Sequence, residues 1–330
     1  MTYLGGVLDL TAVAWLGFTL ACASVSVLAY PSMRPRLVEL RPQQRAIAIA
    51  VWAALPPAGG LLLTAVCFLP SILSLAGVTA DHCLDHDDGH PHMCLIHPPE
   101  TSGLTFAGIV AATLVFALAQ LHREVREHGR LRRVLRTLDR ASETDDAHNV
   151  RIFDSPIPLA FAAFLLRPRV FISSRLALSL PRQLLDVVIE HERAHVRRRD
   201  RLICAAVSVL SRLHVPWIRA RLLQDLSLAC EQACDEEAAV RVGDRLRVAS
   251  AILAVERMCS GLPALPHQAV SSFGGTNIVP RILSLLHDAA GSGSSGRRWT
   301  WVGMIMVALT ILASDSIHHL TETILTPFTR

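Results

Sequence analysis

Apolar residues in this chain are gathered into long blocks instead of being spread evenly. Four such blocks cover residues 5–30, 46–80, 104–121 and 299–314, and the first contains a single charged residue, Asp9. A helix of about 20 apolar residues spans the hydrocarbon core of a bilayer. The pattern therefore predicts four transmembrane helices, of which the last is short. Proline and glycine residues are expected to kink or divide the second helix: Pro56, Pro57, Gly59 and Gly60.

The basic residues between these blocks predict the side of the membrane on which each loop lies. Arginines follow the first block within residues 31–45 and the third block within residues 122–140, whereas no basic residue precedes the first block. Short loops that are rich in Lys and Arg stay in the cytoplasm. We therefore expect an external N-terminus, an external loop at 81–103 and a cytoplasmic segment at 122–298. The basic helix at 122–140 is expected to contact anionic lipid headgroups.

The composition also indicates a membrane protein. Hydrophobic residues make up 51% of the 330 residues, and the mean hydropathy is +0.39. The net charge of +4 is modest, and membrane topology explains the arginines that carry it. A direct nucleic-acid partner is therefore not expected. The predicted location is the cell membrane, with several passes through the lipid bilayer.

The predicted external loop at 81–103 contains cysteines and histidines but no Lys or Arg, which agrees with an external position. Cys83 and Cys94 would face an oxidising environment, where we expect them to form a disulfide. Binding of a transition metal or sensing of pH by the histidines is an alternative, and a solvated polar loop is another. The five histidines are His82, His86, His90, His92 and His97.

One polar stretch carries a pattern that points to chemistry. Residues 186–200 contain His191, Glu192 and His195 in the order His-Glu-x-x-His. Residues four apart share one face of an α-helix, so both imidazoles can reach one metal ion. Zinc accepts imidazole nitrogen, and a glutamate beside the first histidine can take a proton from an attacking water. The pattern predicts a zinc centre for peptide-bond hydrolysis, with Glu192 as the base.

Such a centre needs a third protein ligand, which in the glutamate-using class lies on a later helix. Residues 226–240 supply Glu231 and, one turn further along, Asp235. We assign Glu231 as the third ligand of one zinc ion and Asp235 as a carboxylate that orients a ligating histidine. The alternatives are carboxylates that are ordinarily solvated and cysteines that ordinarily pack in the core: Glu236, Glu237, Cys230 and Cys234.

Two short runs at 150–153 and 170–173 have the composition of β-strands. In zinc peptidases with this motif, an edge strand beside the motif helix pairs with the extended substrate backbone. We nominate residues 169–173 for this strand, with Arg169, Val170 and Phe171 as the residues expected to contact substrate.

His214 follows an apolar segment at 202–213 that is too short for a membrane span and is expected to be a core helix. This histidine has two interpretations. It either caps or packs against that helix, or it binds the substrate or the tetrahedral intermediate. A further helix is predicted at 246–258.

Together these motifs resemble the BlaR/MecR-type integral-membrane zinc metallopeptidases. The resemblance rests on residues 191–200, on residues 213–217, on residues 231–236 and on the approach at 155–173; it departs from the family at Cys234, where alanine is usual. It implies regulatory proteolysis, in which a cytoplasmic winged-helix repressor is cleaved after a signal arrives. Antibiotic-sensing members carry a large external penicillin-binding domain after the last span. Few residues follow that span here, so direct β-lactam sensing is not expected.

The predicted fold is a mainly α membrane protein with four transmembrane helices and a cytoplasmic, zincin-like α+β metallopeptidase domain. Residues 1–121 form the membrane domain and residues 122–298 the peptidase domain, which ends in a flexible linker at 289–298. Residues 299–330 form the fourth helix and a short external tail. The predicted function is that of a zinc metalloendopeptidase acting on a protein or peptide, and a homodimer is left open. The alternatives are a membrane quality-control protease and a non-catalytic receptor or scaffold, against which the presence of Glu192 argues.

Overall fold

The computed structural model describes residues 3–78, 104–164, 167–260, 277–287, 304–305 and 307–325. The whole predicted external loop at 81–103, with its two cysteines and five histidines, lies outside these described residues. The linker at 289–298 and the first residues of the fourth predicted span also lie outside them. Within the described ranges the chain is mainly helical, with one small sheet.

The N-terminal part consists of helices α1 (Tyr3–Val38), α2 (Pro42–Cys67) and α3 (Leu69–Leu75). In the described part of the chain, two helical stretches, Gly6–Val38 and Pro42–Leu75, are long and apolar enough to cross a membrane. Only 22% and 28% of their most apolar windows are buried, whereas a core helix of a soluble protein would be mostly buried. These helices are consistent with a membrane protein. The number of spans and their orientation stay predictions.

The glycines of α2 serve packing instead of breaking the helix. α2 runs without interruption through Pro56 and Pro57, and the helical path breaks only at Phe68. A Cβ atom on Gly60 would lie 2.3 Å from the hydroxyl of Thr19 and 3.1 Å from the carbonyl of Trp15, both in α1. Gly60 therefore allows α1 and α2 to approach closely. Of the two effects expected at the proline and glycine cluster, a division of the helix is wrong, and a kink stays a prediction.

Helix α4 (Leu104–Ala141) contains both the third predicted span and the basic segment that follows it. The predicted domain boundary between residues 121 and 122 thus falls inside one continuous helix. Composition changes sharply at that point, from apolar to charged, but a change of side chains does not end a helix without a Gly, Pro or capping signal.

A four-stranded sheet follows α4. Its strands are β1 (Glu143–Asp145), β2 (Val150–Phe153), β3 (Ala160–Ala163) and β4 (Arg169–Ser173), in the order β1-β2-β4-β3. β2 and β4 are parallel, whereas β1 and β3 pair antiparallel with their neighbours. The predicted strands at 150–153 and 170–173 are confirmed. β1 was not predicted, because its exposed polar residues show no alternation of apolar and polar positions.

The remaining helices follow the sheet in the chain. Among them, the helices predicted at 202–213 and 246–258 are confirmed. The elements are α5 (Ser174–Ser179), α6 (Arg182–Arg198), α7 (Asp200–Leu210), a 3-10 turn (Ser211–Leu213), α8 (Pro216–Val242), α9 (Arg245–Cys259), α10 (Ile278–Leu286) and α11 (Ser314–Leu325). α11 lies in the predicted external tail, and its His318 Nδ1 is 2.7 Å from the carbonyl of Cys67 in α2.

Helix α8 takes part in two hydrophobic cores. Its C-terminal residues Ala238 and Ala239 pack in a core with α6, α9 and the sheet. Its N-terminal residues Leu222 and Leu226 pack in a second core with residues of α1 and α2. The predicted peptidase domain and the predicted membrane domain therefore share a core through α8.

Candidate metal centre

The three motif residues lie on the buried side of α6. Val187, Val188 and Ile189 anchor this helix in the core, and the next turns carry the polar motif into the interior. His191 and Glu192 are fully buried, and His195 is 4% exposed. The two imidazole rings have centroids 4.9 Å apart, as expected for residues one helical turn apart.

The turn after α6 places a carboxylate, that of Asp200, beside His195. The helix ends at Arg199, whose φ of 55° is in the left-handed region, and α7 begins at the next residue. This sharp turn brings the side chain of Asp200 back to the preceding helix. Its Oδ2 lies 2.9 Å from His195 Nδ1. No role was predicted for Asp200 from the sequence, although it is the last residue of the segment 186–200 that contains the motif.

Helix α8 brings a third group to the two histidines. Glu231 Oε2 lies 3.4 Å from His191 Nε2, and Glu231 Oε1 lies 3.5 Å from His195 Nε2. One ligand atom from each of His191, His195 and Glu231 lies within 4.8 Å of the others. The structure thus brings together the three side chains that the sequence predicts as zinc ligands, although Glu231 is 35 or more residues away along the chain.

The geometry of this cluster fits a tetrahedral zinc ion. Zinc bonds of about 2.0–2.1 Å to nitrogen and oxygen imply about 3.3–3.4 Å between neighbouring ligand atoms of a tetrahedron. The observed separations of 3.4 and 3.5 Å agree with this value. His195 Nε2 is buried and has no hydrogen-bond partner among the described residues, as expected for a nitrogen that is reserved for a metal.

Both histidines have a carboxylate at the nitrogen that faces away from the cluster. His191 Nδ1 is 2.9 Å from Asp235 Oδ1, the position that the sequence analysis assigned to Asp235. His195 Nδ1 has the equivalent contact with Asp200. A carboxylate at Nδ1 fixes the ring orientation and leaves Nε2 to the metal. Asp235 in turn is held by Arg281 of α10, which no sequence pattern predicted.

Burial and charge act in opposite directions on the ionisable groups. Burial raises the pKa of Glu231, but the charge of Arg281 and the hydrogen bonds of the two histidines outweigh it, so the pKa lies well below its ordinary value. Burial would lower the pKa of His191, yet the carboxylates of Asp235 and Glu231 raise it overall. The cluster therefore keeps Glu231 ionised, which is the form that binds a cation.

Glu192 has a different environment. Both of its carboxylate oxygens are buried, and neither has a well-formed hydrogen bond within the described ranges. Burial raises its pKa, while the neighbouring histidines and the backbone of Ala162 in β3 oppose this effect. A buried carboxylate with a raised pKa beside metal-binding groups is suited to accept and release protons.

The prediction that residues 169–173 form the edge strand is wrong. β4 (Arg169–Ser173) lies between β2 and β3, so its backbone is paired on both sides, and Val170 and Phe171 are buried in the core. The edge strand beside α6 is β3. The β-branched residues Val170 and Ile172 are typical of a strand, whereas β3 is rich in alanine, but composition does not tell an edge strand from a central one, and only pairing distinguishes the two.

His214 contacts α2, the second candidate membrane helix. It is 6% exposed, and its Nε2 lies 3.3 Å from the carbonyl of Ala53 in α2. Burial lowers its pKa, which favours a neutral ring. These contacts agree with the packing interpretation and give no support to a role in binding substrate or the tetrahedral intermediate.

The alternative ligands, two carboxylates and two cysteines of α8, do not form a second set around the same metal position. Glu237 pairs with Arg197 at 2.5 Å, and neither Glu236 nor Glu237 joins a metal-binding group among the described residues. Cys234 lies 3.3 Å from His195 Nδ1 and 3.2 Å from Asp200 Oδ2. Cys230 lies beside Cys204. The two cysteines therefore do not converge on one site as a pair.

Replacement of Asp200 by asparagine tests its contact with His195. Asparagine keeps the size of the side chain but loses the charge that stabilises the Nδ1 proton. We expect a loss of zinc affinity of about 10–100-fold, the range for such supporting carboxylates. Zinc content after dialysis against a graded chelator measures it, with Asp186→Asn, an exposed aspartate on the same motif helix, as the control. Unchanged zinc retention in Asp200→Asn would contradict the supporting role.

Comparison with known families gives a match that covers this whole cluster. A family model described as BlaR1 peptidase M56 matches residues 101–284, which is more than half of the chain. The matched region includes the sheet, α6, α8 and the part of α10 up to Ser284. No curated protein and no solved structure gives a significant match.

Proposed function

The chain belongs to the BlaR1 peptidase M56 family, a family of metallopeptidases, and on this premise we propose that it is a membrane-embedded zinc metalloendopeptidase. One observation carries the proposal. His191, His195 and Glu231 converge with the separations of a tetrahedral zinc site, directly beside the buried carboxylate of Glu192. The two apolar N-terminal helices and their shared core with α8 support the membrane embedding.

Each residue then has a distinct part in hydrolysis. A bound zinc ion supplies a Lewis acid and lowers the pKa of a water in its coordination sphere. His191 and His195 present Nε2 to the metal site, and Asp235 and Asp200 hold the two rings in that orientation. Glu192 accepts a proton from the attacking water and delivers a proton to the leaving amine.

The edge strand β3 is the segment that we propose for pairing with the substrate, in place of β4. The carbonyl of Leu159 accepts a hydrogen bond from Ser173 N at 2.8 Å, so its backbone faces β4. In an antiparallel pair the direction alternates along the strand, which turns the backbone groups of Ala160 and Ala162 toward the side of β3 that faces away from β4. Ala162 is also the residue whose backbone affects the pKa of Glu192. A peptide paired with this edge would lie beside the base.

The biological role that we propose is regulatory proteolysis of a cytoplasmic protein, of which a winged-helix transcriptional repressor is the expected kind. The basis is the family assignment together with the shared core between α8 and the membrane helices, which offers a physical route from the membrane to the metal centre.

The proposed activity is tested on the full chain purified in detergent. We expect one zinc ion per chain, cleavage of fluorescein-labelled casein or of a proteome-derived peptide library, and loss of cleavage when 1,10-phenanthroline removes the metal. Cleavage that persists in metal-free protein, or a zinc-loaded protein that cleaves neither probe, would contradict the proposal. A repressor encoded nearby can then be supplied as the substrate, since its cleavage separates the regulatory role from general protein turnover.

The proposed topology makes a separate prediction. In a chain whose eight native cysteines have been replaced, we expect a membrane-impermeant maleimide to label Asp88→Cys in intact cells but not Asp145→Cys. Labelling of both positions after the cells are permeabilised is the control for reactivity. The reverse pattern in intact cells would place the metal centre outside the cytoplasm and remove a cytoplasmic repressor as its substrate.

A further inference from the structure

Arg281 is a buried arginine that contacts two carboxylates of the metal centre. It lies on α10, and only 1% of its surface is exposed. Its Nε and Nη2 donate to Asp235 Oδ2 and Oδ1 at 2.8 and 2.7 Å, and its Nη1 lies 3.2 Å from Glu231 Oε2. A guanidinium that holds a carboxylate with two parallel bonds fixes its rotation as well as its position. Arg281 therefore restrains both Glu231 and Asp235.

Gln232 connects the helix that carries Arg281 to Arg45 of α2. It directly follows Glu231 and is 5% exposed. Its amide nitrogen donates to the carbonyl of Pro280 at 2.8 Å, one residue before Arg281. Its amide oxygen accepts a hydrogen bond from Arg45 Nη2 at 2.5 Å. The two ends of one buried amide thus hold α10 and Arg45 in a fixed relation to Glu231.

Arg45 belongs to the second candidate membrane helix, α2, and is 6% exposed. A buried arginine that loses its acceptor is costly, so α2 and α8 favour the alignment in which Arg45 meets Gln232. A movement of α2 relative to α8 would strain this hydrogen bond. A displaced Gln232 would shift α10 through its hydrogen bond to Pro280. Arg281 of α10 would then move relative to Asp235 and Glu231, the two carboxylates of the metal centre that it contacts.

We propose that Arg281 is a positioning residue for the metal centre and that Arg45, acting through Gln232, couples that position to the second membrane helix. The inference deepens the proposed function and rests on it, because it concerns the same metal site. Its consequence is that the alignment of α2 against α8 sets how well Glu231 is placed to hold a metal and how well Asp235 is placed to orient His191.

The chain offers a matched control for this coupling. Arg34 of α1 also bonds to α8, where its Nε and Nη2 donate to the two carboxylate oxygens of Asp225 at 2.7 and 2.8 Å. This ion pair likewise connects a membrane helix to α8. It contacts neither Gln232 nor α10 in the described part of the structure. Its loss should therefore loosen the helix contact without disturbing the metal centre.

The test uses the full chain in detergent and compares Arg281→Lys, Arg281→Gln, Gln232→Met, Arg45→Gln and the control Arg34→Gln with the wild type. Competition with a chromophoric chelator gives the zinc dissociation constant, and the visible absorption of the Co²⁺-substituted protein is recorded at saturation. We expect about 10–100-fold weaker zinc binding in both Arg281 variants. Gln232→Met and Arg45→Gln should weaken it by about 2- to 30-fold, and Arg34→Gln should leave it unchanged.

Two comparisons decide the outcome. Lysine keeps the charge of Arg281 but not its planar fork, so wild-type zinc affinity and Co²⁺ absorption in Arg281→Lys would overturn the positioning role. A residue that only stabilised the fold would lower the unfolding temperature without altering the Co²⁺ band at saturation. Equal zinc affinity in Gln232→Met, Arg45→Gln and Arg34→Gln would overturn the coupling. If Arg281→Gln does not fold, Arg281→Lys still tests the positioning role and Gln232→Met still tests the coupling. A wild-type protein that binds neither ion contradicts the proposed function instead, which keeps the two failures distinguishable.

Discussion

Replacement of Glu192 by alanine is expected to lower the rate of peptide-bond hydrolysis by about 10²–10⁴-fold while the protein retains its zinc. The reason is the separation of tasks in α6. His191 and His195 face Glu231 through Nε2, whereas Glu192 is not one of the three groups that converge on the metal. Its buried carboxylate is therefore the base that we propose for the attacking water. Steady-state kinetics on the labelled probe and zinc content of the same preparation measure both properties.

A matched control for this substitution is Glu190→Ala. Glu190 lies on the same helix but pairs with Arg193 and Arg197 near the surface. We expect hydrolysis by this variant to remain close to the wild-type rate. Glu192→Gln removes the base without changing the volume of the side chain, and its activity should be as low as that of Glu192→Ala. A wild-type rate in either Glu192 variant would show that the mechanism is assigned to the wrong residue.

Replacement of Glu231 by alanine is expected to cause the largest loss of zinc, because it removes one of three ligands. Asp235→Ala should lower zinc affinity less, by about 10–100-fold, because it removes only the support of His191. Glu236→Ala and Glu237→Ala should remain near the wild type, since neither side chain belongs to the cluster. Metal analysis of the four purified variants measures this order.

The Asp235 variant needs a stability measurement beside the metal analysis. Asp235 is 1% exposed and holds Arg281 with two bonds. Removal of one partner from a buried ion pair costs about 3–5 kcal/mol, so the unfolding temperature of Asp235→Ala should also fall. Full zinc occupancy in Glu231→Ala would instead move the ligand role to another group. Of the two cysteines, Cys234 would then be examined first, because it forms a second possible metal-binding group with His195 and Asp200.

Much of the candidate site could be predicted from the sequence because its parts are local. His191 and His195 are one turn apart on a helix whose apolar face is visible in residues 184–189, and Glu231 and Asp235 repeat the same spacing on α8. Helical periodicity places such pairs on one face whatever the rest of the fold does. The long apolar blocks likewise predicted helices, because their length and composition are properties of the chain itself.

The residues that were missed depend on contacts between distant segments. Asp200 reaches His195 only because Arg199 adopts a left-handed conformation, which no residue pattern required of an arginine. Arg281 reaches Asp235 across 46 residues, and in the sequence it is one arginine among many. The choice of β3 over β4 as the edge strand follows from the pairing order, which apolar composition does not specify.

The sequence by itself determined the elements and the chemical groups: the apolar helices, the helix with His191, Glu192 and His195, and the carboxylates of α8. These follow from interactions between residues that are near one another in the chain. The tertiary structure alone decided which carboxylate meets which histidine, which strand lies at the edge of the sheet, and that Arg45 of a candidate membrane helix contacts the residue after Glu231. Such contacts are set by how α2, α6, α8 and α10 pack, because a buried charge is stable only where packing supplies a partner of opposite charge or a hydrogen-bond acceptor.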